Sequence, residues 1–278
     1  MRVSPHVGRT IHKTFQVVCA VIMTWLFVAM PAGAAEQQGL EGIARGFPSL
    51  LDLSGKKLAD GDFAQWIEND RLHIRIHYEF GGGRRIEERA ILQLKPQLAQ
   101  EEWSWRELRE GKIYREFELV INKKRATAQT NEGKNPERWS EQVDVQTGRA
   151  FAGIGFVLAI QSQRDRLIQG EKIELQTVGF TPKPRAVAVE IEYGGLDQMR
   201  MAGRVLHGDR FVIHPTIPWV VDLFVDVPDT LVWLANPPPA AFLRVEGPLA
   251  EPSDPVIRID LLPGGSSGPA QPVRANVR

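Results

Sequence analysis

The sequence predicts a mainly β protein: an antiparallel meander forming a partly closed barrel or curved sheet, with one central helix packed on it. Three observations lead there. Apolar residues recur with period 2 in many short segments. Turn residues punctuate the mature chain at intervals of about 10 to 14 residues. One segment alone, 151–168, is too long for an ordinary strand and is apolar on all sides at its start.

The clearest strand is 73–80, where Ile74, Ile76, Tyr78 and Phe80 alternate with His73, Arg75, His77 and Glu79. Gly81-Gly82-Gly83 breaks it, and residues 86–94 read as its hairpin partner, stopped by Lys95-Pro96. Trp103 and Trp105 share one face of the next strand. After a turn at Glu110-Gly111, residues 112–121 place Ile113, Phe117, Leu119 and Ile121 on one face, with Arg115 as a charged exception. Further strands are expected at 171–179, 185–193, 199–206, 210–214, 230–234, 242–246 and 256–261. Residues 122–139 are the most polar stretch and predict a long exposed loop around 131–136.

Residues 151–168 read as the helix, with Phe151, Ile154, Leu158 and Ile168 near one stripe and Gly170 as its C-terminal cap. Gly153 and Gly155 suggest a phosphate loop, but the third glycine and the strand-turn context of that fingerprint are missing. They read better as glycines that let the helix approach the sheet closely. Residues 217–227 lean toward a short helix begun by Pro218 and stopped by Pro228. The prolines from Pro237 to Pro255 suit fixed crossings between edge strands, because apolar segments lie between them.

The first 34 residues read as a cleaved signal peptide. Arg2, Arg9 and Lys13 precede an apolar run over 17–30, followed by Pro31-Ala32-Gly33-Ala34-Ala35. That run is 14 residues, short of the roughly 20 needed to span a bilayer as a helix. Cys19 lies inside the run, so the lipid-attachment pattern of a lipoprotein is absent. Residues 35–262 then form one β-rich domain, and 263–278 a disordered tail without apolar period. The expected location is periplasmic or secreted.

Charge balances in the whole chain, with 34 basic and 34 acidic residues. Without the signal, 31 basic residues face 34 acidic ones, a net charge of −3, and the lone cysteine is gone. No disulfide framework, multi-thiolate zinc site or nucleic-acid-binding surface is expected from such a composition.

The chemical candidates are few. His73 and His77 share a strand face, but four strand residues span about 13 Å, too far for one zinc ion, and Arg75 lies between them. His207 and His214 have no carboxylates at ligand spacing nearby in sequence. Asp222 and Asp226 are the best carboxylate pair, one turn apart if helical and about 13 Å apart on a strand. Only the helical spacing suits glycoside hydrolysis. Ser162 lacks the flanking glycines of a nucleophile elbow. Trp103 and Trp105 either line a ligand groove or pack the core, and the core reading is the commoner one. No metal or other cofactor is expected.

The layout as a whole carries a resemblance. A signal peptide, a β-meander, the Gly153/Gly155 helix, the Pro182/Pro184 turn and the closing run from His214-Pro215 through Trp233 and Phe242-Leu243-Arg244 to Glu251-Pro252 resemble uncharacterised bacterial exported proteins. The layout is also similar to envelope domains of unknown function with a lipoprotein-carrier-like half-barrel. The resemblance implies a non-catalytic periplasmic protein whose partner is a lipid-like or other apolar or amphipathic envelope ligand. It supplies no catalytic set. The alternatives are a hydrolase of envelope polymers using Asp222 and Asp226, and a module that adds a strand to its sheet edge. The sequence leaves the oligomeric state open.

Overall fold

Alternation of apolar and polar residues builds fifteen strands into one continuous antiparallel sheet, curved but not closed. The computed structural model describes residues 44–131, 135–180, 183–201, 203–216 and 227–261. The expected signal peptide, Asp222, Asp226, the rest of 217–226 and the tail from 263 lie outside the described residues.

The first arm comprises β1 (Ala44–Gly46), β2 (Ser49–Asp52), β3 (Lys57–Glu68), β4 (Arg71–Phe80), β5 (Arg84–Gln93), β6 (Ala99–Arg109), β7 (Lys112–Val120), β8 (Arg125–Thr130) and β9 (Glu137–Gln142). Helix α1 (Gly155–Ile168) follows, and the second arm comprises β10 (Ile173–Gly179), β11 (Arg185–Met201), β12 (Arg204–Thr216), β13 (Thr230–Asn236), β14 (Phe242–Pro248) and β15 (Val256–Asp260). Each arm is a meander from β2 to β9 and from β10 to β15, and β15 joins them by pairing with β2. The strands β9 and β10 are therefore the sheet edges, although they are neighbours in the chain order. The connecting segment covers the β10 edge: Phe151 N–H donates to Gln176 O at 2.9 Å and Gln176 N–H to Arg149 O at 2.8 Å. That cover removes a free template for strand pairing.

The inward face of the first arm carries Ile74, Ile76 and Tyr78 from β4, Ile86 and Ala90 from β5, Trp103 and Trp105 from β6, and Phe117 and Leu119 from β7. Helix α1 packs into the same core through Val157, Leu158, Ile160 and Leu167. Its end has the expected form. Gly170 takes φ +92°. Its N–H donates to Leu167 O, and that of Glu171 to Arg166 O, the two bonds of a Schellman cap.

Several boundaries differ from expectation for identifiable reasons. The helix starts at Gly155 and not at Phe151, because Gly153 turns the chain with φ +52° and Ala152 is bonded to the sheet. Expected strands at 185–193 and 199–206 are instead one long β11 and the start of β12, with the reversal between Met201 and Arg204. The Gly194-Gly195 pair produces a bulge after Tyr193 without ending the ladder. The polar stretch is mostly two strands, β8 and β9, on either side of the expected loop at 131–136, of which 132–134 lie outside the described residues. The inward positions there are Ala126, Ala128 and the partly buried Trp139 opposite Ala128, so the alternation is faint. The strands β1 to β3 carry no clear alternation in sequence, since the inward positions of β3 hold Ala59, Gly61 and Gln65 among others.

Candidate functional site

At one end of the sheet the β4–β5 and β6–β7 hairpins, the β2–β3 turn and the 249–255 loop surround a cavity of about 240 Å³. Leu50, Leu58, Phe80, Leu249, Pro255 and Ile257 provide an apolar lining, and Arg84, Arg109, Tyr114, Arg115 and Asp254 complete it. The guanidinium carbon of Arg84 lies 4.4 Å from the centre of the Phe80 ring, and that of Arg109 lies 3.3 Å from the Tyr114 ring. Both arginines are thus laid over aromatic faces, an arrangement favourable to a partly desolvated cation.

Beneath them sits Glu107, on the inward parity of β6 and 0 % exposed. It accepts from Arg84 Nε at 2.9 Å, Arg109 Nε at 3.0 Å, and Arg115 Nη2 and Nε at 2.9 and 3.1 Å. Arg115 Nη1 reaches over to the loop, donating to Glu251 Oε2 at 3.0 Å and Asp254 Oδ1 at 2.9 Å. The Asp254 carboxylate also accepts from the backbone N–H groups of Ala250 and Glu251, so one side chain shapes the loop and ties it to the sheet. Three arginines therefore face three carboxylates, Glu107, Glu251 and Asp254. The Arg115 exception in the sequence pattern is the centre of this network.

Burial works against the Glu107 charge, but Arg84, followed by Arg115 and Arg109, holds its pKa below the ordinary glutamate value. Its stabilising contribution is present above the ordinary pKa of 4.5 and is lost as pH falls through the lowered folded value. Glu88 has the opposite sign. It also lies at inward parity, and burial pushes its pKa up, against hydrogen bonds from Trp103 Nε1 at 2.9 Å and Ile154 N at 2.8 Å. Its charged form costs stability above the raised folded pKa, and that cost disappears as pH falls toward 4.5. In urea unfolding at neutral and acid pH, Glu107→Gln should fall well below wild type at pH 7, with the gap narrowing in acid. For Glu88→Gln, lowering the pH should move the difference in favour of wild type. A parallel pH response of the two variants would contradict these assignments.

Trp103 and Trp105 are 9 % and 4 % exposed, on the core face of β6. Trp105 stacks with Phe117 at 5.5 Å, and Trp103 lies 5.7 Å from Phe180. Each indole backs a polar feature: Trp103 donates to Glu88, and Trp105 lies 5.2 Å from the Arg115 guanidinium carbon. Gly153 and Gly155 take the close-packing role. A Cβ on Gly153 would overlap Glu88 Oε1 and Trp103 Nε1, and one on Gly155 would overlap the Gln100 amide.

Among the remaining candidates, His73 stacks on Trp66 at 5.4 Å. His214 meets two carboxylates distant in sequence, Asp229 just before β13 at 2.8 Å and Glu192 on β11 at 3.3 Å, which local spacing does not reveal. Ser162 Oγ donates to Ala159 O within the helix. Among the described residues, no group of three or more His, Cys, Asp or Glu could hold a metal ion. No helix among them is long and apolar enough to cross a membrane.

Sheet and helix together define a mainly β protein built on one curved, open antiparallel sheet. No protein-family model matches the sequence, and no curated protein matches it. The structure is similar to a β-barrel-like protein of the domain of unknown function DUF1849 from Brucella abortus, with a TM-score of 0.47 and 7 % identity. That similarity covers 80 % of this chain and 96 % of the other. It is also similar to the hypothetical lipoprotein YmcC from Escherichia coli K12, with a TM-score of 0.32 and 11 % identity over 82 % of this chain and 90 % of that one.

Proposed function

We propose that the protein is an exported, non-catalytic envelope protein that binds an anionic amphiphile in the cavity at the end of its sheet. The observation that carries this reading is the meeting of an apolar lining with two ring-stacked guanidiniums in one cavity. Apolar lining with a few placed polar groups is the usual form of a small-molecule site. The volume of about 240 Å³ lies just under the span of about 300–1,000 Å³ typical of drug-sized ligands. It suits the head and first methylenes of an amphiphile, with the rest of the chain outside. Arg84 turns Nε toward Glu107, and Arg109 turns both Nε and Nη2 toward it, so the two Nη atoms of Arg84 and the Nη1 of Arg109 would be offered to a carboxylate or phosphate. Trp105 supports the site from behind by packing against Arg115. Export is supported by the basic start, the apolar run over 17–30 and the small residues 32–35.

Calorimetric titration of the mature chain with decanoate and with decyl phosphate tests the reading. Both should bind saturably. Arg84→Ala and Arg109→Ala should each weaken binding about 10- to 100-fold, the worth of one charge-assisted hydrogen bond. Arg85→Ala, which removes an exposed side chain paired with Glu79, should leave it unchanged. Absence of saturable binding, or equal loss in all three variants, would overturn the assignment.

A further inference from the structure

The opposite face of the same strands carries a second concavity, independent of the end cavity. It measures about 550 Å³ and lies across β3 to β7. Two cross-strand rows form it. The first runs from Trp66 to His73, Ile91 and Glu102; the second runs from Arg75 to Arg89, Ser104 and Glu118.

Two features of these rows are unusual for a merely solvated surface. Arg75 and Arg89 stand directly opposite each other, a like-charge pairing that disfavours the sheet. Arg75 has no ion pair among the described residues, and the Glu87 carboxylate lies 3.9 Å from the half-exposed Arg89. Beside the two arginines, Trp66 and His73 stack with only 15° between their planes, giving a partly exposed aromatic wall.

We propose that this concavity binds an acidic sugar unit, a pyranose bearing one carboxylate or phosphate group. The aromatic wall supplies a flat apolar surface for the ring, and the paired guanidiniums match the planar oxygens of an anion. Ser104, Glu102 and Glu118 supply hydroxyl partners. The two glutamates also limit the charge the site accepts, because they would repel a second anionic group. The layout therefore favours a hydroxyl-rich ring with a single negative group over a polyanion such as nucleic acid.

The test uses the mature chain with galacturonate, glucose 6-phosphate and neutral glucose as probes, followed by ligand-observed NMR and calorimetry. Both acidic sugars should bind at least tenfold more tightly than glucose. Arg75→Ala and Arg89→Ala should each remove most of that preference while leaving the thermal transition unchanged or raised, since they relieve a repulsion. Trp66→Ala should weaken acidic and neutral sugars alike. Arg84→Ala and saturation with decanoate should have no effect, which separates this site from the end cavity. Glucose binding as tightly as galacturonate, acidic-sugar binding that survives loss of either arginine, or binding abolished by Arg84→Ala would each overturn the proposal.

Discussion

Replacing Glu107 by Leu should destabilise the protein by about 3–5 kcal/mol, the usual cost of leaving a buried charge without its partner. For a chain of this size that corresponds to a fall in Tm of about 6–20 °C. The reason is specific. Glu107 is fully buried and accepts from three arginines. Without it, Arg115 at 7 % exposure keeps only the loop carboxylates, and Arg84 and Arg109 lose their shared acceptor. The double variant Glu107→Leu with Arg115→Leu should recover much of the loss, because a well-packed apolar pair often replaces a buried ion pair at little cost. Recovery will be incomplete, since Glu251 and Asp254 then lose their tie to the sheet. Thermal unfolding of the two singles and the double gives the coupling directly. Additive losses would show that Glu107 and Arg115 do not act as a unit.

The second large effect is expected at Gly153. The residue has φ +52°, where a side chain costs about 1–2 kcal/mol. Its missing Cβ is also the space occupied by Glu88 Oε1 and Trp103 Nε1. Gly153→Ala must therefore displace a carboxylate that accepts from Trp103 and from the Ile154 N–H just before the helix. Strain and the lost packing together should cost about 3–5 kcal/mol. Two comparisons separate the contributions. Gly170→Ala meets the same kind of backbone strain, φ +92°, but no neighbour within 4 Å, and should cost only about 1–2 kcal/mol. Gly155→Ala has no unusual φ and pushes only on the Gln100 amide, at a cost of about 1–3 kcal/mol. Equal losses at Gly153 and Gly170, measured as denaturant midpoints, would mean that strain alone governs the site.

Much of this architecture is legible from residue order. The alternation in 73–80 and the glycines after it specify β4 and its hairpin with β5, and Gly170 specifies the helix end. What failed locally failed for a physical reason: β8 and β9 bury little beyond alanines, and β3 buries glycine and glutamine where a strand usually places large apolar groups. The end site was half visible. Arg115 on an apolar face is a signal, and the same signal stands in Glu107 beside Trp105 and in Glu88 between Ile86 and Ala90. A charge at core parity needs a buried partner, so Arg115 and Glu107 announce the end-site network and Glu88 a separate contact, with Trp103 and the Ile154 N–H. Their partners do not announce themselves. Glu251 and Asp254 lie 136 and 139 positions from Arg115, in a proline-rich loop with no periodicity to read. His214 is a similar case, since Glu192 and Asp229 reach it only through the pairing of separate strands. Trp103 and Trp105 are conspicuous as aromatic residues; both sit on the core face of β6, Trp103 donating to Glu88 and Trp105 lying beside the Arg115 guanidinium.

The end cavity as the proposed seat of an anionic amphiphile is tested most directly by what co-purifies with the protein. The mature chain, purified without detergent from the periplasm of a Gram-negative host, should show an added mass in native mass spectrometry. Solvent extraction should release a species with one anionic head and an alkyl chain. The same preparation of the Arg84→Ala, Arg109→Ala double variant should be free of it. A wild-type preparation without bound mass that also fails to take up added decanoate would contradict the account, as would a bound amphiphile retained in full by the double variant.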